Sequence, residues 1–227
     1  MGVFMSAAAT KHRIGGQEDH SASSQIALQT AAAATISGHL FRASITARQM
    51  ALAAKNSRAM VLRAGSKAAG LKVISDYFDD LADKTISLSS TINQYAVAIS
   101  QNSVRQWRTI TFINRVRKGQ DYLKKGQATE AVIAQLDPSV ETASAHHQEL
   151  ANRLDSQLKN LKDQLENIHH YMQSSNVVAV TFRLEATQTG EFQPLLEHMA
   201  ATIDGLTNDI KGHINTSQNQ LNVFNIN

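Results

Sequence analysis

The chain has 227 residues, of which 42% are hydrophobic and 18% are charged, so it is long and apolar enough to bury a core. Only 5% of the residues are aromatic and two are proline, a balance that favours helical bundles over sheet sandwiches. The sequence contains no cysteine, which excludes a disulfide scaffold, a thiolate metal site and a cysteine nucleophile. This composition fits a reducing compartment, and we expect a cytoplasmic protein.

The net charge of +3 hides an uneven distribution of charge along the chain. Residues 1–125 carry 17 Lys/Arg and 7 Asp/Glu, a balance of +10, whereas residues 126–227 carry 5 and 12, a balance of −7. We expect the basic half to pair with the acidic half within one chain. The best apolar stretch is interrupted by His39, Arg42 and Arg48, so we expect no transmembrane segment.

The chain is predicted to begin with a flexible tail over residues 1–20, followed by an Ala-rich helix over about 22–63. A second helix, predicted over 71–118, carries the strongest periodic pattern, because its core positions recur at alternating steps of four and three residues. This pattern is typical of the a/d seam of a coiled coil. The positions are Ile74, Phe78, Leu81, Thr85, Leu88, Ile92, Tyr95 and Ile99.

Two further helices are predicted over 138–187 and 194–221, after a connector over residues 119–137 that begins with the loop GQDYLKKG. The first of them carries a seam from Leu158 to Ala186, and the second carries a shorter seam from Leu196 to Ile210. Both seams have the same spacing as the one in the second helix. These three helices therefore share one kind of packing surface.

Glycine and proline mark the two bends between these helices. Gly65 and Gly70 bracket the first bend, and Gly190 and Pro194 bracket the second. We therefore predict an all-α fold, a long antiparallel coiled-coil four-helix bundle made of two helical hairpins. The predicted parts are the tail (1–20), hairpin 1 (21–118, tip near 63–70), the connector (119–137) and hairpin 2 (138–227, tip near 187–194).

The sequences around the two bends both resemble the hairpin tip of one known protein family. The segment AKNSRAMVLRAGSKAAGLKVISDYFDDLA resembles the hairpin tip in the cytoplasmic signalling domain of methyl-accepting chemotaxis proteins. The matching positions are Asn56, Arg63, Ala64, Gly65, Gly70, Val73, Asp76, Leu81 and Ala82. The segment AVTFRLEATQTGEFQPLLEHMAATIDGL resembles the same tip through Glu185, Ala186, Gly190 and Glu191.

The resemblance implies a hairpin tip that contacts partner proteins, because in this family the tip docks a histidine kinase and its coupling adaptor. Receptors of the family pair hairpins from two chains, so two hairpins in one chain imply a single-chain pseudo-dimer with its tips side by side. The pattern is changed at Met60, Ser66 and Gln188, which favours recognition by a modified tip over retained kinase coupling. The implied partner-binding residues are Asn56, Arg63, Gly65, Gly70, Glu185, Gly190 and Glu191.

Adaptational methylation is a second property that the resemblance implies. In the family it uses adjacent Glu/Gln pairs flanked by small residues, and Gln148–Glu149 follows Ser144 and Ala145. The alternative is an ordinary solvated helix face.

The remaining chemistry is sparse. Glu166 and His169 have the E-x-x-H spacing of di-iron bundles, but no second E-x-x-H occurs, so we expect neither a metal nor another cofactor. His147 and His213 fall near seam positions, where a polar residue fixes register or responds to pH. No phosphate-binding glycine loop, serine elbow or zinc spacing is present, and we expect no enzymatic activity.

A basic stretch ends the second helix, close to Trp107. Three interpretations are open: a solvated face that pairs with the acidic half, an anionic membrane surface and an acidic partner domain. Nucleic acid is not expected, because no base-reading or stacking motif accompanies the charge. The stretch consists of Arg105, Arg108, Arg115, Arg117, Lys118, Lys124 and Lys125.

The sequence therefore predicts a soluble, chemoreceptor-like signalling or interaction protein that contacts protein partners through its hairpin tips. Two alternatives remain. One is a structural or scaffold bundle without a role in chemotaxis. The other is a four-helix bundle that binds haem or a metal through its histidines. Whether the chain is monomeric or self-associates is left open.

Overall fold

The computed structural model describes the backbone of residues 4–65 and 70–224, and the side chains of residues 24, 25, 27–63, 65 and 70–224. Residues 66–69, which include Ser66 of the predicted tip, lie outside this part of the chain. The described residues are almost entirely helical and contain no strand. The helices are α1 (Phe4–Ala64), α2 (Leu71–Lys125), α3 (Glu130–Ala134), α4 (Asp137–Ala186) and α5 (Gln193–Leu221).

The four long helices correspond to the four predicted ones, and most of their ends agree with the expected breakers. α4 begins at Asp137, directly before Pro138, because proline tolerates only the first turn of a helix. α1 begins at Phe4, earlier than the expected start near residue 22. Helix bounds do not measure motion, so the division into tail, hairpins and connector stays a prediction.

The end of α2 differs from the sequence-based expectation. The helix continues through Gly119 and ends at Lys125, so most of the loop expected over GQDYLKKG is helical. A single glycine inside a helix costs about 1 kcal/mol relative to alanine, too little to end one. The chain turns only at Gly126 and Gln127, where Gln127 has a φ of 56°. The short helix α3 follows after this turn.

The described chain divides into two compact units. Unit 1 comprises residues up to Ala33 together with Ala98–Leu158, and unit 2 comprises Ala34–Val97 together with the chain from Lys159 onward. Unit 2 contains segments of all four long helices. Unit 1 contains the described start of α1, the second half of α2, α3 and the beginning of α4.

Specific contacts join neighbouring helices in unit 2. Ser37 on α1 donates a hydrogen bond to Asn93 on α2, and Lys84 on α2 lies over the ring of Tyr171 on α4. An ion pair between Arg183 and Asp204 joins α4 to α5. The rings of a histidine pair join α5 to α1. These contacts define a cycle of four helices in the order α1, α2, α4, α5.

The core of unit 2 is built from the predicted seams. Phe78, Leu81, Thr85 and Ile92 of α2 are buried, and so is the series in α4 that runs from Leu161 through Phe182. α1 contributes mostly small side chains, which let neighbouring helices approach closely. Among its buried residues are Ala43, Ala47, Ala51 and Ala54. Unit 2 is thus an all-α bundle, while supercoiling and the pairing of two hairpins stay predictions.

Unit 1 has a smaller core. Its buried apolar residues include Ile113 on α2 and Leu150 and Leu154 on α4. The amide of Asn102 on α2 donates to the side-chain oxygen of Gln157 on α4 at 2.8 Å. No helix in the described part of the chain is both long and apolar enough to cross a membrane.

Candidate partner-binding site

The first predicted bend follows the end of α1. The helix ends at Ala64, and Gly65 then adopts a φ of 59°. This left-handed conformation is strained for residues with a Cβ, which explains the need for glycine. α2 begins at Leu71, one residue after the exposed Gly70.

The second bend joins α4 to α5 in a compact turn. After Ala186 the backbone N–H of Thr189 donates to the Ala186 carbonyl at 3.2 Å, and the buried Thr189 hydroxyl donates to the same oxygen at 2.9 Å. Gly190 has a φ of 59° and opens a short 3₁₀ turn that ends at Phe192. The turn therefore satisfies the last carbonyl of α4 and reverses the chain within a few residues.

The start of α2 lies against the end of α4 in unit 2. A Cβ added to Gly70 would lie 3.6 Å from Oε2 of Glu185 and 3.7 Å from its Cδ. The half-buried carboxylate of Glu185 thus covers the start of α2, and a larger side chain at position 70 would push it aside. Two predicted site residues that are far apart in sequence are therefore neighbours.

The other predicted tip residues are placed less uniformly. Arg63, Gly65, Gly190 and Glu191 are exposed and lie at or next to the bends. Asn56 is also exposed, but it precedes Gly65 by nine residues, or about 14 Å of helix. Asn56 therefore lies two to three helical turns before the first bend.

Exposed apolar side chains flank both bends, and the sequence analysis did not identify them as a group. Leu62 and Val73 flank the first bend, and Val180 and Leu184 precede the second. Their side chains are 60–74% exposed, although each is large enough to contribute to a core. A sequence signal existed, because all four fall outside the a/d seams. We refer to these four residues as the apolar rim.

One ion pair supports each bend from the side. Nε of Arg58 on α1 lies 3.2 Å from a carboxylate oxygen of Asp76 on α2. Arg183 on α4 pairs with Asp204 on α5. Both arginines are about half exposed, so each pair contributes little to stability and serves mainly to fix geometry.

The predicted modification site lies elsewhere, on the solvent face of α4 in unit 1. The side-chain amide of Gln148 donates to Oδ1 of Asn152 at 3.1 Å, and Glu149 forms an ion pair with Arg153 at 2.7 Å. Both residues are exposed. Methylation of this pair stays a prediction.

A histidine pair joins α1 to α5, away from the bends. Nδ1 of His39 and Nδ1 of His213 are 3.0 Å apart, and the ring centroids are 5.3 Å apart. The two Nδ1 atoms are closer together than the ring centroids, so these nitrogens face each other. In the hydrogen bond between them one neutral ring donates through N–H and the other accepts. Burial, His39 and Arg42 lower the pKa of His213, against the opposite effect of Asp209.

Comparison of the chain with protein-family models, with curated proteins and with solved structures found no match. The site is therefore interpreted from its own residues. The surface around the bends combines glycine turns, the apolar rim, one arginine and two carboxylates. No group of three or more potential metal ligands occurs in the part of the chain that is described. This combination of apolar and charged groups is suited to contact with another protein.

Proposed function

We propose that this protein is a chemoreceptor-like interaction protein that contacts partner proteins through the surface where its two bends meet. The observation that carries the proposal is the apolar rim. Large apolar side chains that are mostly exposed and grouped beside turns are typical of protein-interaction surfaces. Arg63 and Glu191 supply charges beside the rim that can orient such a partner.

The glycine turns support the same proposal. Gly65 and Gly190 keep the ends of the helices free of bulky side chains, so that a partner can approach the backbone closely. Glu185 links the two bends, because its carboxylate lies at the start of α2. A partner bound to one bend would therefore also affect the other.

The proposed mechanism is a change in helix packing on partner binding. Unit 2 contains many small buried residues, among them Ala47, Ala54, Ala82 and Ala179. Helices that meet through small side chains shift past one another with less steric hindrance than helices locked by large ones. A partner that prefers one arrangement would select it.

The proposal is tested first with the partners that the resemblance implies. Binding of a purified chemotaxis histidine kinase and of its coupling adaptor is measured by calorimetry with the intact chain. Val73→Asp and Leu184→Asp place a charge in the apolar rim and are expected to weaken binding at least tenfold each. Val97→Asp on α2 is the matched control, because Val97 is also exposed but lies far from the bends.

A second experiment covers other partners. A photo-crosslinking residue is introduced at position 73 or 184, and at position 97 as the control, and the chain is expressed in cells. A partner other than the kinase that crosslinks at both rim positions and not at position 97 would support the proposed binding surface. It would also show that the partner is not a chemotaxis kinase. Equal crosslinking at all three positions would refute the proposed surface and favour a structural bundle.

A further inference from the structure

The outward face of α2 in unit 1 carries a row of arginine and aromatic side chains. Arg105, Arg108, Phe112, Arg115 and Tyr122 are all exposed and are separated by three, four, three and seven residues. This spacing places them on one side of the helix. The row extends over about 25 Å at ~1.5 Å per residue. We refer to it as the arginine–aromatic row.

The charge of the row is not neutralised by the acidic half of the chain. Among the described residues, no ion pair involves Arg105, Arg108 or Arg115. The one acidic residue between Arg105 and Tyr122 is Asp121, at the end of the row, and none lies between the three arginines. The interpretation that the basic stretch pairs with the acidic half of the chain therefore has no support for the three arginines of this row.

A groove borders the row. It is a shallow depression of about 650 Å³ that is largely open to solvent and lies between α2 and the first turns of α4. Its walls are mostly apolar, and Arg108 lies at its edge. Two nearby carboxylates are engaged: Asp137 accepts a hydrogen bond from Gln120 at 2.8 Å, and Glu149 pairs with Arg153. The lining residues are Arg108, Thr109, Phe112, Pro138, Ser139, Thr142, Ala143 and His146.

We propose that the arginine–aromatic row and its groove form a binding surface for an anionic phospholipid membrane. The three arginines contact lipid phosphate and carboxylate groups, which carry the complementary charge. Phe112 and Tyr122 insert into the interface, where aromatic rings are favoured. The apolar groove receives part of an acyl chain.

The apolar groove is the reason for choosing a membrane over a nucleic acid. A nucleic acid would use the arginines and could stack on Phe112, but it has no apolar group to fill a groove lined by Pro138 and Ala143. A lipid surface matches both the charge and the groove. This surface lies in unit 1 and is independent of the protein-binding surface proposed for the bends in unit 2.

The test measures binding of the intact chain to vesicles. Vesicles of equal parts phosphatidylcholine and phosphatidylserine are compared with pure phosphatidylcholine vesicles in a sedimentation assay. The triple variant R105Q/R108Q/R115Q is expected to lose about 100-fold in partitioning, because each arginine contributes about fivefold near an anionic surface. The control K72Q/K159Q/K162Q removes the same number of charges from exposed positions elsewhere and is expected to bind like the unchanged chain.

Two further readouts make the outcome specific. The only tryptophan, Trp107, lies next to Arg108, and its fluorescence is expected to shift to shorter wavelength with anionic vesicles. Phe112→Ser is expected to reduce partitioning several-fold with the charge unchanged. Circular dichroism confirms that each variant keeps its helix content.

Each alternative result would overturn the proposal. Failure of the unchanged chain to bind anionic vesicles at low salt would exclude a lipid surface. Equal losses in the arginine and lysine triple variants would show attraction by overall charge alone. Binding of a single-stranded RNA oligonucleotide without binding of anionic vesicles would assign the row to nucleic acid.

Discussion

The same substitution, glycine to alanine, is predicted to have opposite effects at two places in unit 2. Gly190 forms the turn between α4 and α5 with a φ of 59°, whereas Gly205 lies inside α5. A Cβ added at either position would meet no atom within 4 Å. Steric contacts therefore cannot decide the outcome, and only the backbone conformation differs.

The magnitudes follow from that conformation. An alanine in the left-handed region costs about 1–2 kcal/mol, partly offset by the lower entropy of the unfolded chain, so Gly190→Ala is expected to destabilise by about 1 kcal/mol. Inside a helix alanine is favoured over glycine by about 0.8–1.0 kcal/mol, so Gly205→Ala is expected to stabilise by that amount. The two variants should differ by about 2 kcal/mol.

Urea unfolding followed by circular dichroism measures this difference. With a slope of about 2 kcal/mol/M, the two midpoints should be separated by about 1 M urea. Gly212→Ala, also exposed within α5, is the control and is expected to behave like Gly205→Ala. If Gly190→Ala stabilised the protein as much as Gly205→Ala does, the left-handed turn at the second bend would be wrong.

Three further predictions concern the core of unit 2. Burial and His39 lower the pKa of His213 in the folded chain. The resulting contribution to folding stability is fully present above the ordinary histidine pKa of about 6.5 and is lost as the pH falls through the lowered pKa of the folded state. We expect a lower melting temperature at about pH 5 than at pH 7.5 and a smaller difference in His213→Leu. The buried hydroxyls of Ser75 and Ser89 have no hydrogen-bond partner among the described residues, so replacement by alanine is expected to stabilise by about 1 kcal/mol each in urea unfolding. Phe182→Ala leaves a cavity in the fully buried seam and is expected to cost about 3–5 kcal/mol in the same assay.

Matched controls exist for each of these three predictions. His170→Leu replaces an exposed histidine in the same way and is the control for His213→Leu. Ser57→Ala removes a buried hydroxyl that donates to the Ala53 carbonyl at 2.8 Å, so it should not stabilise. Phe41→Ala removes an exposed ring and should cost far less than Phe182→Ala. Equal effects in a variant and its control would contradict the corresponding argument.

Much of the helical architecture could be predicted from local chemistry. α4 begins within one residue of its predicted start at 138, and the turn at Gly190 agrees with the expected breaker, because a proline or a left-handed glycine acts within a few residues. The seam in α2 could be predicted because Phe78 and Ile92 repeat with the period of a buried helix face. The end of α2 could not, since one glycine such as Gly119 weakens a helix without ending it.

The site was less accessible from sequence because it depends on distant residues. The resemblance predicts that the two tips lie side by side, but it does not predict that Gly70 lies against the carboxylate of Glu185. The apolar rim was missed because a residue such as Val73, outside the seam, is exposed only if no other element covers it. His39 and His213 are 174 residues apart, and no local pattern connects them.

The contacts between the two halves of the chain differ in kind from the expected ones. The interhelical ion pairs in the described residues, Arg58–Asp76 and Arg183–Asp204, each join residues of the same half. In the described residues the halves meet through buried seams, through the contact of Lys84 with the ring of Tyr171, and through neutral hydrogen bonds such as the one between Asn102 and Gln157. A neutral, directional contact fixes register without attracting every oppositely charged surface. Arg105, Arg108 and Arg115, which form no ion pair among the described residues, are therefore available for an external anionic surface.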